Sequence, residues 1–549
     1  MSNQMSEPPT IAERTQDFLN TGTQFRLGSL VTESPNLSTH DLSQLCQTNL
    51  TRAAEVFKDV ELDAFESVKN LESLSDELVD SFERVLANGR RIFLCGCGAT
   101  GRLALVLESV WRQAPKPGHD TAVVAFTAGG DYALVRSLGV FEDRPDLGAR
   151  HLLDLGFQEG DILVAVTEGG ETPFVLGALE QATKTSQMKS WLFFCNPPEL
   201  LKKLAVRSRM ALENPRVRWH AFDAGPMALT GSTRLQASSV LMAFVGAALR
   251  ETASNLKSRW LLSELTDRIS QTDARGFTSL IEIEAATHLQ GGFTLHRSRS
   301  AAMPVLTDTT ERAPTFSLAP FESTLDLPVD PLQASRTYLE IPRAKSANDA
   351  WHHLLRREPR PFAVPKDVRA PSVDLNAIYA FDFSDGVSER RRRYGVITST
   401  VLDIEFGDYD GTTAEPTLFF RATQLDNGQN KGPSRTEYAV AASRDPLVRQ
   451  SQMKFALNLK STLAMGRIGR FHGNLMTFVR PTNNKLIDRA LRTLRSLALD
   501  EARATGHHKL TNLVASHDDT PFLNAIFEAS DRVSADEPVT LRALEILKT

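Results

Sequence analysis

The sequence predicts an α/β protein with two doubly wound parallel-sheet lobes, the second degenerate, and a C-terminal helical region. Three observations carry this. In the first half, five short apolar runs alternate with amphipathic stretches, the pattern of strands joined by helical crossovers. A fainter copy of that alternation begins near residue 277. From residue 451 the apolar spacing is helical, with no strand-like runs between. A chain of 549 residues exceeds one ordinary core. The spacing divides it into a disordered tail (1–24), a first lobe with N-terminal helices (25–275), a second lobe with insertions (276–450) and the helical region (451–549).

In chain order, residues 41–88 have helical periodicity through Leu62, Phe65, Val68, Leu71, Leu74 and Leu78. Strands are expected at Ile92–Cys95, Thr121–Phe126, Ile162–Val166, Trp191–Phe194 and Val217–Phe222. Helices are expected between them at Leu103–Arg112, Tyr132–Leu138, Pro173–Ala182 and Leu200–Ser208. Val240–Leu249 is apolar but too short to span a bilayer, so it reads as a core helix. In the second copy, Leu280–Leu289 reads as a helix, Gly291–Leu295 as a turn and strand, and Ala301–Phe316 as its crossover. Ile378–Phe383 and Val396–Phe406 are strand-like. The Pro- and charge-rich stretch 317–375 has no clear period. Turn clusters at Gly407–Gly411 and Asn427-Gly428 around Thr417–Ala422 predict a hairpin-bearing insertion. Gln452–Thr477 and Lys485–Leu497 read as helices, with two short helices closing the chain.

Composition narrows the function. Hydrophobic content of 41% and charged content of 23% fit a soluble globular chain, and a net charge of −5 gives no electrostatic case for nucleic acid or membrane partners. The N-terminal stretch has no apolar core of a secretory signal. Of the four cysteines, Cys95 and Cys97 are too close for a disulfide framework. Reduced, buried thiols are expected, which implies a cytoplasmic or nuclear compartment. No metal or cofactor is expected: the pairs His352-His353 and His507-His508 do not share a helix face, and the cysteines lack zinc spacing. Arg390–Arg393 reads as a solvated face or, more sharply, a nuclear-import patch.

The most informative stretch is Arg91–Leu103. The apolar run Ile92–Leu94 breaks into Cys95-Gly96-Cys97-Gly98-Ala99-Thr100-Gly101, and an amphipathic run follows at once. A strand, a tight small-residue turn and a helix N-terminus present backbone N–H groups and the positive helix end to one spot, which suits a phosphate. The bland alternative is a βα turn with no ligand.

This turn, together with Leu30–Asn36, Ala128–Asp131 with Glu142-Asp143, Thr172–Val175, Gly225-Pro226 and above all Leu229-Thr230-Gly231-Ser232-Thr233-Arg234, resembles the SIS (sugar isomerase) family. The likeness is to the branch shared by N-acetylmuramic acid 6-phosphate etherase and glucokinase regulatory protein. Asp308–Glu311 with Pro314–Phe316 resembles the second-lobe element, and Leu457–Lys485 the long helix and lysine of the regulatory protein. Two lobes in one chain with a helical cap is the regulatory protein's layout.

The resemblance implies a sugar-phosphate site. Thr100 and Thr167 would donate hydroxyls to the phosphate, surrounded by backbone N–H groups of Gly98, Gly101 and Gly169. Glu142 would accept from sugar hydroxyls, Lys485 would reach in from the C-terminal helices, and Glu311 would contribute from the second lobe. For the threonines the bland alternative is local capping; for Lys485 a solvated helix residue; for Glu142 a helix-terminal charge. The two etherase glutamates fall, by counting, on Val110 and Gly139, so no catalytic residue is expected. Glu108 lies two residues before Val110, about 200° around a helix. Glu168 departs from the small or neutral residues usual there. An ionised carboxylate about 4 Å from a phosphate would cost about 4 kcal/mol per unit charge, roughly a thousandfold in affinity. In the second lobe, His296–Ser300 replaces the glycine-rich turn, so a second phosphate site is not expected.

Two functions follow. One is a regulator that binds a phosphosugar and signals to a protein partner, a sugar kinase by resemblance. The other is an etherase-like lyase or phosphosugar isomerase using other carboxylates, such as Glu108 with Glu142 or Glu171. Two carboxyls converging over the Gly-rich turn would favour the enzyme. A degenerate scaffold without ligand is a third, weaker alternative.

Overall fold

The computed structural model describes residues 9–22, 25, 27–326, 330–366, 368, 370–371, 373–407, 416–425, 434–534 and 536–549. The expected strands of the first lobe form one parallel sheet: β1 (Ile92–Gly96), β2 (Val123–Thr127), β3 (Ile162–Val166), β4 (Ser190–Phe194) and β5 (Val217–Ala221), in the order β2-β1-β3-β4-β5. The first four are buried along their whole length, as strands covered by helices on both faces must be. In this order the crossover direction reverses between β1 and β3, and a crevice opens beyond their carboxyl ends.

The second sheet repeats the order. β6 (Phe293–Arg297) lies between β7 (Thr337–Glu340) and β8 (Thr398–Gly407), both parallel to it. β9 (Thr417–Gln424) and β10 (Arg435–Ala441) continue outward, antiparallel. The degeneracy has a chain-length cause. Nine residues, 408–416, separate β8 from β9, and a parallel crossover needs about a dozen or more. The expected hairpin insertion is thus the outer half of this sheet; its turn residues 408–411, 427 and 428 lie outside the described residues.

Helices place the two sheets around one continuous hydrophobic core. Within the tail expected to be disordered, α1 (Ile11–Thr21) forms instead. Thr10 and Glu13 make a reciprocal capping box, and Phe18 packs among the C-terminal helices. That long-range contact has no local signature. α2 (Ala99–Gln113) follows β1, α3 (Gln236–Ala253) follows the Leu229–Arg234 loop, and α4 (Ala302–Phe316) follows β6. α3 is buried almost all round, in keeping with its apolar run. α5 (Pro446–Arg467) starts at an Asp445 cap and ends before Gly469, whose φ of 79° stops the helix short of Thr477. α6 (Asn484–Thr505) and three short helices close the chain.

Three other expectations are corrected. Tyr132–Leu138 is not an α-helix but one 3-10 turn, Asp131–Leu134, whose first carboxylate is engaged by Arg357 and the Arg360 N–H rather than by its own helix. Ile378–Phe383 is not a strand: Asp374 accepts from Ala377 N at 2.8 Å and caps a short helix, Leu375–Tyr379. Arg390–Arg393 is not a free basic patch, because Arg391 is buried against Glu322 at 2.5 Å and over the Tyr338 ring at 4.2 Å, and Arg390 pairs with Asp382 at 2.8 Å. The stretch 317–375 supplies β7 and a helix, Ala347–Leu355. Among the described residues no helix is long and apolar enough to cross a membrane.

Candidate functional site

A cavity of about 450 Å³ opens where the switch point of the first sheet predicts. Its floor is the Cys97–Ala99 turn after β1 and Glu168 after β3. Gly139 and Glu142 form one wall, Gly231–Arg234 another. The C-terminal end of α4, with Thr310, Glu311 and Pro314, and the start of α6, with Asn483, Lys485 and Leu486, complete it. The site therefore draws on both lobes and the C-terminal helices.

The Gly-rich turn is built by close approach. Gly98 has φ of 57° and faces open space, and a side chain on Gly101 would stand 1.8 Å from Thr127 Oγ1 on β2. The first backbone N–H groups of α2 have no intrahelical acceptor, and Ala99, its first residue, lines the cavity beside Gly98. A second helix start, that of α6, lies on the same cavity, so two positive helix ends converge there.

The expected ligand residues divide into two sets. Gly98, Glu142, Glu168, Glu311 and Lys485 line the cavity. Thr100, Gly101, Thr167 and Gly169 are absent from its described lining. Each threonine hydroxyl is engaged within its own loop. Thr100 Oγ1 accepts from Cys97 N at 3.1 Å and donates to Cys97 O at 2.9 Å; Thr167 Oγ1 shares a hydrogen bond with Thr172 Oγ1 at 2.9 Å. Both are buried, and these bonds shape their loops. Gly169 O accepts from Asn196 Nδ2 at 3.2 Å.

Within the cavity, Lys485 Nζ lies 3.6 Å from Glu142 Oε1, and Asn483 Nδ2 donates to Glu142 Oε2 at 3.1 Å. Burial disfavours the Lys485 charge, but Glu142, Glu171 and Glu168 outweigh it and hold its pKa above the ordinary lysine range. Glu311 is 3.9 Å from Arg102, with its carboxyl pushed up by burial. Glu168 is 4% exposed, and its Oε1 finds no hydrogen-bond partner among the described residues. Burial, with Glu311 and Glu142 nearby, pushes this carboxyl up to about 7 against the pull of Lys485. Burial keeps the Cys97 thiol protonated well above its usual range.

Both counted etherase positions lack an acid. Gly139 does line the cavity, beside Asn483, so the place exists without its carboxyl. Val110 is buried inside α2, and its neighbour Glu108 is locked by Arg112, Arg357 and Arg360 at 2.8 to 3.1 Å. Glu171 is paired with Arg207. Neither Glu108 nor Glu171 reaches the cavity lining as described.

Other parts of the quoted motifs hold the site in place. Arg234 bonds Asp308 and Asn458 at 3.1 Å and Thr462 at 2.8 Å, tying the Leu229–Arg234 loop to α4 and α5. Glu33 accepts from Arg489 at 2.6 Å and Arg492 at 2.8 Å, fixing α6 and with it Lys485; the two guanidiniums outweigh burial and hold the carboxyl down to about 2. Arg102, Asn483 and Arg489 were not foreseen as site residues. In the second lobe the corresponding turn is filled from inside: Glu405 of β8 accepts from Arg299 N at 2.7 Å and Ser300 N at 2.9 Å, and from the Ser300 hydroxyl. A carboxylate of the protein stands where an anion would bind.

Residues 76–183 match the family model of the glucokinase regulatory protein N-terminal SIS domain. Over 214 residues the chain is 30% identical to N-acetylmuramic acid 6-phosphate etherase of Lactococcus lactis subsp. cremoris (strain MG1363), and 31% identical to that of Aliivibrio fischeri (strain MJ11). Each match covers 39% of this chain and 66% of the relative, so the chain spans just under two thirds of these curated relatives. Among solved structures, the C-terminal domain of glucosamine-fructose-6-phosphate aminotransferase from Francisella tularensis aligns at 11% identity and TM-score 0.36, over 76% of this chain and 96% of that one. The segment that carries the Gly-rich turn, Glu142 and Glu168 is therefore an SIS domain, of the branch that includes the glucokinase regulatory protein and the N-acetylmuramic acid 6-phosphate etherases.

Proposed function

We propose that this protein is a phosphosugar-binding regulator rather than an etherase. The observation that carries this reading is the cavity: helix N-termini and Lys485 converge on it, while both positions counted for the etherase acid and base lack a carboxyl. A phosphate would sit on the N–H groups that open α2 at Gly98–Gly101, with Lys485 as its side-chain cation. Glu142 and Glu311 would accept from sugar hydroxyls. Because α4, α6 and the first sheet all line the cavity, a ligand there favours one arrangement of lobes and cap over others. It can act on a partner only through that difference. The partner is a sugar kinase by resemblance to the glucokinase regulatory protein. The four free cysteines support a reducing compartment, the cytoplasm.

One observation favours a second reading. Glu168 and Glu311 both carry raised carboxyl pKa values in the cavity, and a carboxyl titrating near 7 suits a general acid. An etherase-like lyase is therefore the alternative, although Glu311 is held by Arg102.

The test is a thermal-shift series with fructose 6-phosphate, fructose 1-phosphate, glucosamine 6-phosphate and N-acetylmuramic acid 6-phosphate. At least one should raise Tm. No shift with any of them overturns the ligand assignment, and lactate release from N-acetylmuramic acid 6-phosphate above background overturns the non-enzymatic one.

A further inference from the structure

Among the described residues, one carboxyl in the cavity has no counterion of its own. Glu142 has Lys485 and Asn483, and Glu311 has Arg102. Glu168 is buried, lines the cavity, and leaves Oε1 without a partner among the described residues. β1 and β3 are adjacent strands, so Glu168 and the N–H groups of the Gly-rich turn open on the same space. An ionised carboxylate at that place opposes the anion that the turn is built to attract.

We propose that Glu168 is the specificity-determining residue of the cavity: an anionic sugar group is accepted only together with a proton on the Glu168 carboxyl, which then donates its O–H to the ligand. This rests on the phosphosugar reading above.

The surroundings of Glu168 agree. Lys485 faces it from α6, Glu311 from α4, Glu142 from the segment after β2 and Arg102 from α2. The thiols of Cys97 and Cys195 face it from the ends of β1 and β4. Burial is the largest influence and keeps the carboxyl near 7 despite Lys485. An incoming anion adds negative charge and raises it further, so binding takes up a proton from solvent. Affinity is then full below about pH 7 and falls as pH rises above it.

Calorimetric titration of the full chain and of Glu168→Gln with the same four phosphosugars tests this. The range is about pH 6.5 to 8.5, in two buffers of different ionisation heat. In the wild type, Kd should weaken by roughly tenfold per pH unit above about pH 7.5, with close to one proton taken up per ligand at about pH 8. In Glu168→Gln, Kd should stay level within about twofold and no proton should be taken up. A wild-type Kd that is level with pH, or a variant that keeps the wild-type slope, overturns the role of Glu168 and leaves the phosphosugar reading standing. No binding to either protein at any pH overturns both. If the variant gives no cooperative melt, the wild-type proton count decides alone: none at about pH 8 overturns the proposal.

Discussion

Lys485, in the first turn of α6, places its ammonium 3.6 Å from Glu142 Oε1, joining the C-terminal helices to the first lobe inside the cavity lining. Lys485→Met should abolish the phosphosugar-induced Tm shift, since it removes the cation assigned to the phosphate. The unliganded protein should lose about 1–3 kcal/mol, because Glu142 keeps only its bond to Asn483. Glu142→Gln should lose less, as it can still accept from Asn483. Equal ligand shifts in wild type and Lys485→Met would remove Lys485 from the site.

Glu33 sets an acid limit on stability. Its folded pKa is held down from 4.5 to about 2 by Arg489 and Arg492. A depressed carboxyl contributes stability above its unfolded pKa and loses it as pH falls towards the folded one. About 3 kcal/mol should therefore disappear between about pH 4.5 and 2. Urea unfolding of wild type and Glu33→Gln should show their difference shrinking across that window. A difference that does not change with pH would mean the effect of Glu33 is packing alone.

Arg357 bridges Asp131 at 2.6 Å and Glu108 at 3.0 Å, with all three side chains buried. Arg357→Met should leave two buried carboxylates short of a partner and cost about 3–5 kcal/mol, read from the denaturation midpoint. Arg360 still pairs Glu108 at 2.8 Å, so most of the loss should trace to Asp131. Asp131→Asn in the Arg357→Met background should then recover part of it.

Gly139→Glu returns a carboxyl to the cavity wall. No lactate release from N-acetylmuramic acid 6-phosphate is expected, because the second position remains Val110, buried inside α2. Turnover by this variant would show that one acid, aided by Glu168, is enough.

The parallel sheet of the first lobe was legible because four of its five strands are fully buried and so read as largely apolar runs between turn residues. The Gly-rich turn was legible for a local reason too: the positive φ of Gly98 answers to backbone geometry within the turn, although Gly101 answers to Thr127 on the neighbouring strand. What stayed hidden depends on distant partners. Thr100 and Thr167 match the motif, but only coordinates show their hydroxyls engaged by Cys97 and Thr172. Arg102, although quoted in the motif, gains its role from Glu311 on the far lobe. α1 folds because Phe18 finds the C-terminal helices, and Glu405 fills the second-lobe turn from a strand more than a hundred residues away. Glu168 was visible as a departure from the family, but its burial, and an Oε1 without a hydrogen-bond partner among the described residues, were not.

The most direct measurement is a calorimetric titration of the full chain near pH 7 with each of the four phosphosugars. At least one should bind with a stoichiometry of one per chain, because the cavity of about 450 Å³ opens on the first-lobe turn while Glu405 occupies the second. Heat from none of them, or two equivalent sites per chain, would contradict it.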